Sequence, residues 1–350
     1  MATLTIAKLN FNSPLHLSKG KPDSLDVSEE IIHSDTIKSA MYAVGLQLYE
    51  MDKSFLKHFQ VSSAFPYYEN ELFFPKPMAQ LPFGMEKYSD EEESKTNKSL
   101  KKIQYIGKDF FELALKNDSQ KTQIKDSDFL DKKKQFISRN IEGKDIVVFK
   151  KSTSQRVRVP KMGEARDAEP FRVEKIFFAE KAGLHFIIHI NEDAPQGFKS
   201  KLENVIRLLG ENGIGTNKNL GCGCFDFNEF ETTTLQLPDV TENTKWTAMS
   251  LYLPGDKSEL AEAFTGEKMS YSLVKRGGWV ASPQEEQHLS NRKRSVYMFA
   301  EGSVFNFNHS TNSILIKGNI VDLMPESWKG FEDKHPVYRD GSCIFLPINN

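Results

Sequence analysis

The chain has 350 residues, enough for one large domain or two modest ones, and its 39% hydrophobic content allows a substantial core. A net charge of -2 excludes a uniformly basic protein that coats nucleic acid, but not a basic face on an otherwise acidic body. No apolar run approaches the roughly 18 residues of a transmembrane helix, "MATLTIAKLNFNSPLHL" lacks the charge-then-apolar order of a signal peptide, and three cysteines form no disulfide framework, so a soluble protein of a reducing cytoplasm is expected.

Residues 3–11, "TLTIAKLNF", alternate apolar and polar as a half-buried strand does. After a turn-rich loop, "SDTIKSAMYAVGLQLYEM" repeats Ile37, Met41, Val44 and Leu48 at helical spacing, with Ser34 or Asp35 placed to cap the first turn. "FQVSSAF" and "ELFFPKP" flank "PYYEN" as a hairpin, so the chain opens β-α-β-β. From about 85 to 135 the sequence turns charged and polar, which predicts a solvated surface insertion with one short helix at "GKDFFELALK". "KDIVVFKK" follows as a strand, and "PFRVEKIFFAE" and "LHFIIHI" about Lys181-Ala182-Gly183 predict a second hairpin. "SKLENVIRLLG" places Leu202, Val205, Ile206 and Leu209 on one helix face, and "CFDFNEFETTTLQLP" alternates as a strand. Without the insertion this is a decorated ferredoxin-like unit, a split β-α-β pair, in residues 1–240. A second, smaller round over 241–350 runs strand ("KWTAMSLYLP"), helix ("DKSELAEAF", capped by Asp256 or Ser258) and further strands to "HPVYRDGSCIFLPI". The predicted fold class is α+β, with two ferredoxin-like (RRM-like) domains.

"LLGENGIGTNKNLGCGCFDF" concentrates Gly210, Gly213, Gly215, Gly221 and Gly223 between that helix and that strand. Glycine-rich backbone approaches phosphates closely because no Cβ intervenes. Nucleotide-binding loops run strand, loop, helix, and the Walker A form adds Gly-Lys-Ser/Thr; here the order is reversed and that tripeptide is missing, so no nucleotide cofactor is expected. Cys222 and Cys224 lack the second pair of ligands that zinc needs, and His185 and His189 on one strand stand about 13 Å apart, too far for one ion. No metal is expected.

The glycine-rich loop resembles that of the RAMP superfamily of CRISPR RNA-binding proteins, where it lies against the crRNA backbone between the last helix and last strand of a ferredoxin-like domain. "IIHSDTIKSAM", "VSSAFPYYENELFFPKP" and "HPVYRDGSCIFLPI" sharpen the likeness to one group, the Cas-five-group RAMP subunits of type III-A CRISPR (Csm) effector complexes, the family of the fourth Csm protein. The resemblance covers nearly the whole chain outside 85–135. It departs at Cys222 and Cys224, where a basic or aromatic residue is more usual. It implies a non-catalytic subunit that grips the 5′ handle of crRNA and caps the base of the complex. The implied partners are the large palm-domain subunit and the first copy of the repeating backbone RAMP subunit.

Charge points to the same ligand. "KKSTSQRVRVPKMGEAR" carries Lys150, Lys151, Arg156, Arg158, Lys161 and Arg166 against Glu164 alone, with Val157, Val159, Pro160 and Met162 interleaved. Cations mixed with apolar side chains suit single-stranded RNA. By the resemblance, this region, about 150–170, is a protruding thumb. Further expected RNA contacts are Ser34 and Lys38 at the first helix start, Gly213, Ile214, Gly215, Lys218, Gly221 and Gly223 in the loop, and Arg276, Arg292 and Arg294 in the clusters "KRGGW" and "NRKRS". The alternative is a metal-independent CRISPR repeat endoribonuclease using His33 as its acid or base, for which the sequence offers no partner group; Asp35 is a separate candidate, by likeness to the related backbone subunit that cuts target RNA with an aspartate.

Overall fold

The computed structural model describes residues 1–19, 25–49, 53–85, 93–117, 122–143, 145–159, 167–266, 269–280, 291–309, 314–328 and 335–349. It is a mixed α+β protein with many strands and few helices.

The chain opens with β1 (Ala2–Phe11), α1 (Ser34–Tyr49), β2 (Phe59–Val61), β3 (Phe65–Tyr68) and β4 (Glu71–Pro75), the expected β-α-β-β order with the second strand broken in two. The predicted hairpin joins β3 and β4, turning at Glu69, whose φ is 54°. Ile37, Met41 and Val44 are buried along α1, whereas Leu48 is exposed. Neither proposed cap is used: the Ser34 hydroxyl accepts from the Leu251 amide, and the Asp35 carboxylate faces two guanidinium groups.

The region predicted as a solvated insertion is instead largely integral to the body. After β5 (Phe83–Met85) and α2 (Glu93–Lys102) come β6 (Tyr105–Gly107), α3 (Lys108–Lys116), β7 (Thr122–Ile124) and β8 (Phe136–Ile137). β6 and β8 extend the main sheet beyond β4, and Phe110, Phe111, Leu115, Ile124, Phe129 and Leu130 are buried. The short helix at "GKDFFELALK" is α3. Burying so many large apolar side chains outweighs the polar stretches between them.

A two-stranded arm follows, β9 (Phe149–Arg158) with β10 (Glu169–Phe178), in register from Phe149↔Phe178 to Arg158↔Glu169. β11 (Ala182–Ile190) does not pair with β10. A turn does occur where it was predicted, with the Ala182 amide donating to Ala179 O, but the strands then part. β11 is buried through Ile188 and takes the centre of the main sheet between β1 and β3, while β9 is mostly exposed.

α4 (Phe198–Asn212), β12 (Phe225–Asp226) and β13 (Glu231–Leu235) complete this half; both strands pair with β1. The sheet therefore runs β12/β13, β1, β11, β2/β3, β4, β6, β8. α1 and α4 cover one face through Met41, Val44, Leu202, Val205, Ile206 and Leu209.

The second half contains β14 (Lys245–Ala248), α5 (Lys257–Ala263), β15 (Leu273–Arg276), β16 (Val296–Phe299), β17 (Val304–Phe305), β18 (Leu315–Lys317), β19 (Ile320–Asp322), β20 (Tyr338–Asp340) and β21 (Cys343–Ile348). Asp256, not Ser258, caps α5, accepting from the Glu259 amide at 2.8 Å. One sheet runs β17, β14, β21, β18 over a core of Trp246, Tyr252, Phe305 and Phe345. The halves are not separate bodies: Ile344, Leu346 and Ile348 of β21 join Leu4, Ile6, Phe65, Phe111 and Ile187 in one apolar cluster. No helix among the described residues is long and apolar enough to cross a membrane.

Candidate nucleic-acid interface

The glycine loop is built mainly to hold itself together. A Cβ on Gly223 would lie 1.9 Å from Ile214 O, and the φ of 77° there already disfavours other residues. The amides of Ile214 and Gly223 donate to Gly223 O and Pro14 O, and those of Gly221 and Thr216 to Lys218 O and His16 O. The Ile214 side chain is buried in the core, and Gly213 is buried as well. So the expected amide cradle is largely spent internally at Ile214, Gly221 and Gly223. The exposed part is the tip, a 3-10 turn over Lys218–Leu220 closed by Gly221; Leu220 is 63% exposed, and a Cβ on Gly221 would meet nothing within 4 Å. Cys224 turns its thiol toward Glu211 O at 3.8 Å, and Cys222 is buried.

The segment after β1 ties this loop to the arm. Pro14 and His16 accept from Gly223 and Thr216, and Leu15 pairs with Ile176 of β10 through both backbone bonds. His16 Nδ1 lies 2.6 Å from Glu174 O. At the same corner the Phe11 ring stacks on Phe178 at 5.0 Å and touches Phe225 at 5.5 Å. Loop and arm are thereby held as neighbours by β1 and its extension.

Strand alternation then sorts the cations of the arm. Lys150, Arg156 and Arg158 share one face of β9 with Lys175 of β10, and Lys151 lies on the other. Lys151 is engaged, at 2.9 Å from Glu30 and 3.7 Å from Glu174. Among the described residues Lys150, Arg156, Arg158 and Lys175 make no ion pair. Val157 and Val159 are exposed beside them. Lys161, Arg166, Pro160 and Met162 lie outside the described residues. Lys175 escaped the sequence analysis because β10 was paired with the wrong strand; the alternation of "EPFRVEKIFF" was the signal available for it.

The expected contacts at the first helix start and at Arg276 lie elsewhere. Lys38 is 2% exposed and ion-paired with Asp340, its ammonium 5.0 Å over the Phe59 ring. Asp35 is fully buried and receives Arg276 Nε at 2.9 Å, Arg276 Nη2 at 3.0 Å and the Arg339 guanidinium. Ser34 is buried, its amide donating to Ser63 Oγ at 2.8 Å. His33 stands between Glu29 at 3.0 Å and Glu301 at 2.7 Å, and Glu301 also accepts from Ser63. Burial pulls the His33 imidazole down, but the Glu301 charge and hydrogen bonds to both carboxylates outweigh it and raise its pKa to about 10. Asp35 goes the other way: burial raises it, and Arg339 and Arg276 together hold it well below the usual carboxylate range. This network fastens α1 to β15, β20 and the 301 turn. It joins the stretches "IIHSDTIKSAM" and "HPVYRDGSCIFLPI", and a histidine charged and enclosed in this way is poorly placed as a general base.

Arg294 donates to the carbonyls of Met324 and Asp322, and Arg292 lies 4.7 Å over the Trp279 ring. Lys275 is exposed, 5.9 Å over Tyr297. Lys293 is half-buried near Arg339 and Arg276, and burial first, then those guanidinium groups, lowers its pKa to about 8. His185 is buried with its Nε2 2.8 Å from Phe73 O, and no group of metal-ligating side chains forms among the described residues.

A family model described as the CRISPR Csm4 C-terminal domain matches residues 241–348. A Csm4 protein from Methanocaldococcus jannaschii is 23% identical along 99% of this chain and 97% of its own length. The chain is similar to Csm4 proteins along nearly its whole length. A Csm4 protein from Mycobacterium tuberculosis strain H37Rv is 33% identical over 184 residues, 52% of this chain and 53% of that protein, so the chain spans about half the length of that relative. Among solved structures, the Csm3–Csm4 subcomplex of the type III-A CRISPR-Cas interference complex contains a chain of the same fold, with a TM-score of 0.63 and 20% identity over the whole of both chains. The Csm1–Csm4 cassette in complex with cA4 contains another, with a TM-score of 0.58 and 19% identity over 99% of this chain and 98% of the other. The two stretches brought together at the buried network are two of those that carried the family resemblance in the sequence.

Proposed function

We propose that this chain is a non-catalytic, crRNA-binding subunit that holds the 5′ handle and caps the base of a cytoplasmic type III-A interference complex. One observation carries the proposal: a projecting β-arm with Lys150, Arg156 and Arg158 on one face, without ion pairs among the described residues, fixed at its root beside the exposed tip Lys218–Gly221. Affinity would come from these cations on phosphates, and sequence preference from splayed bases on neighbouring apolar side chains. The solved Csm3–Csm4 and Csm1–Csm4 assemblies support two protein partners for this chain, a repeating backbone RAMP subunit and a large palm-domain subunit. The strand order β12/β13, β1, β11, β2/β3 with α1 and α4 on one face supports a ferredoxin-like RAMP domain in residues 1–240, with the arm as its thumb. The family match at 241–348 supports a second domain from residue 241, proposed as a reduced ferredoxin-like unit.

The test is the triple variant R156E/R158E/K161E, co-expressed with the remaining subunits and guide RNA. Reversing three positive charges is expected to reduce guide RNA recovered per complex by at least about ten-fold and to weaken assembly. Full recovery with an undiminished protected handle would remove the arm from the RNA-binding surface.

A further inference from the structure

At the root of the arm one ring is left in solvent. Phe177 is 44% exposed, more than any other phenylalanine of the described residues. Its neighbour Phe178 turns the other way and stacks on Phe11. Register sets Phe177 opposite Lys150, and alternation puts Lys175 on the same face, opposite Ser152. Among the described residues, neither lysine has an ion-pair or hydrogen-bond partner and the Phe177 ring has no ring partner. Farther out on this face come Phe171 opposite Arg156, then Arg158 opposite Glu169, the one carboxylate that the strands of the arm place on it. Midway, Val173 is buried, which sets the root apart from the outer arm.

A protein-docking hot spot would surround such a ring with further apolar side chains. Here its same-face neighbours are two free ammonium groups and a serine. An open aromatic face flanked by unpaired cations suits a stacked base with its backbone phosphates alongside. We propose that Phe177, Lys150 and Lys175 form a stacking platform for one base of single-stranded RNA, with the two lysines on the adjoining phosphates. The platform rests on the RNA-binding function proposed above and adds a site at the root to the cations of the outer arm.

The test titrates the full-length chain into a fluorescein-labelled single-stranded oligoadenylate and follows anisotropy at several salt concentrations. Phe177→Ala is expected to raise Kd about ten-fold, within the range for loss of one stacked base, with the salt slope unchanged. Phe177→Trp should keep wild-type affinity. Lys150→Ala with Lys175→Ala should reduce the slope of log K against log salt by about 1.4, two single-strand phosphate contacts. If Phe177→Ala binds like wild type while R156E/R158E has lost binding, the platform is wrong and the RNA-binding function stands. If wild type itself does not bind, that function falls with it. If Phe177→Ala leaves RNA affinity intact but releases a protein subunit from the assembled complex, the ring is a protein contact and the platform is overturned.

Discussion

Replacing Asp35 with asparagine tests the buried network, because this one carboxylate serves two guanidinium groups. Arg339 and Arg276 have side chains only 7% and 14% exposed, so neither can recover the lost interaction from water. Breaking a buried pair by removing one partner costs about 3–5 kcal/mol, since a buried charge is left uncompensated. With an unfolding entropy of about 2.1 cal/mol/K per residue, a cooperative 350-residue unit loses about 5 °C of Tm for 4 kcal/mol. The three tryptophans make the assay directional: Trp246, Trp279 and Trp328 all lie beyond residue 241, whereas Asp35 is on α1. Thermal unfolding followed by tryptophan fluorescence should therefore drop by several degrees for Asp35→Asn, in step with far-UV circular dichroism. Leu48→Asn, on an exposed position of the same helix, should leave both curves in place. A wild-type tryptophan midpoint in Asp35→Asn would show that the halves do not depend on this contact.

The charged His33 adds a pH signature. Its folded pKa is raised from 6.5 to about 10, so its contribution is fully present below pH 6.5 and fades above it; between pH 6.5 and 8 stability should fall by about 2 kcal/mol, at 1.36 kcal/mol per unit. Above pH 8 the lowered Lys293 works in the opposite sense and flattens the curve, and urea titrations of His33→Gln should show no fall from 6.5 to 8. In the glycine loop, Gly223→Ala should abolish folding or cost at least about 3 kcal/mol, because a Cβ would meet backbone. Gly221→Ala, with open space at φ 73°, should cost only about 1 kcal/mol in the same denaturation assay. In filter binding, Lys151→Ala should leave RNA affinity within two-fold of wild type, since Glu30 and Glu174 already hold that ammonium, whereas Lys150→Ala should weaken it by about two- to five-fold.

The elements that local pattern specifies were legible in the sequence. Alternation in "TLTIAKLNF", helical spacing in "SKLENVIRLLG" and the turn at "PYYEN" became β1, α4 and the β3–β4 hairpin. Apart from α3, the 103–137 region was missed because its strands are only two or three residues long, too short for alternation to stand out between lysine-rich stretches. Ser34 and Lys38 were placed on the RNA-facing surface because a helix start looks like a phosphate site when read locally, and Arg276 because it stands in a basic cluster. The acidic partners of Lys38 and Arg276, Asp340 and Asp35, lie more than two hundred positions away, a separation that no periodicity reports. The same limit hid the division of labour on the arm, where "KK" at 150–151 reads as one basic pair and strand geometry splits it across two faces.

Photo-crosslinking of guide RNA in the assembled complex measures most directly whether the arm and the glycine-loop tip line one RNA path. With 4-thiouridine placed through the handle, mass spectrometry should recover adducts on peptides spanning residues 149–178 and 216–221, and adjacent nucleotides should mark both. Adducts confined to β15 and β16, with both of these segments unlabelled, would contradict it.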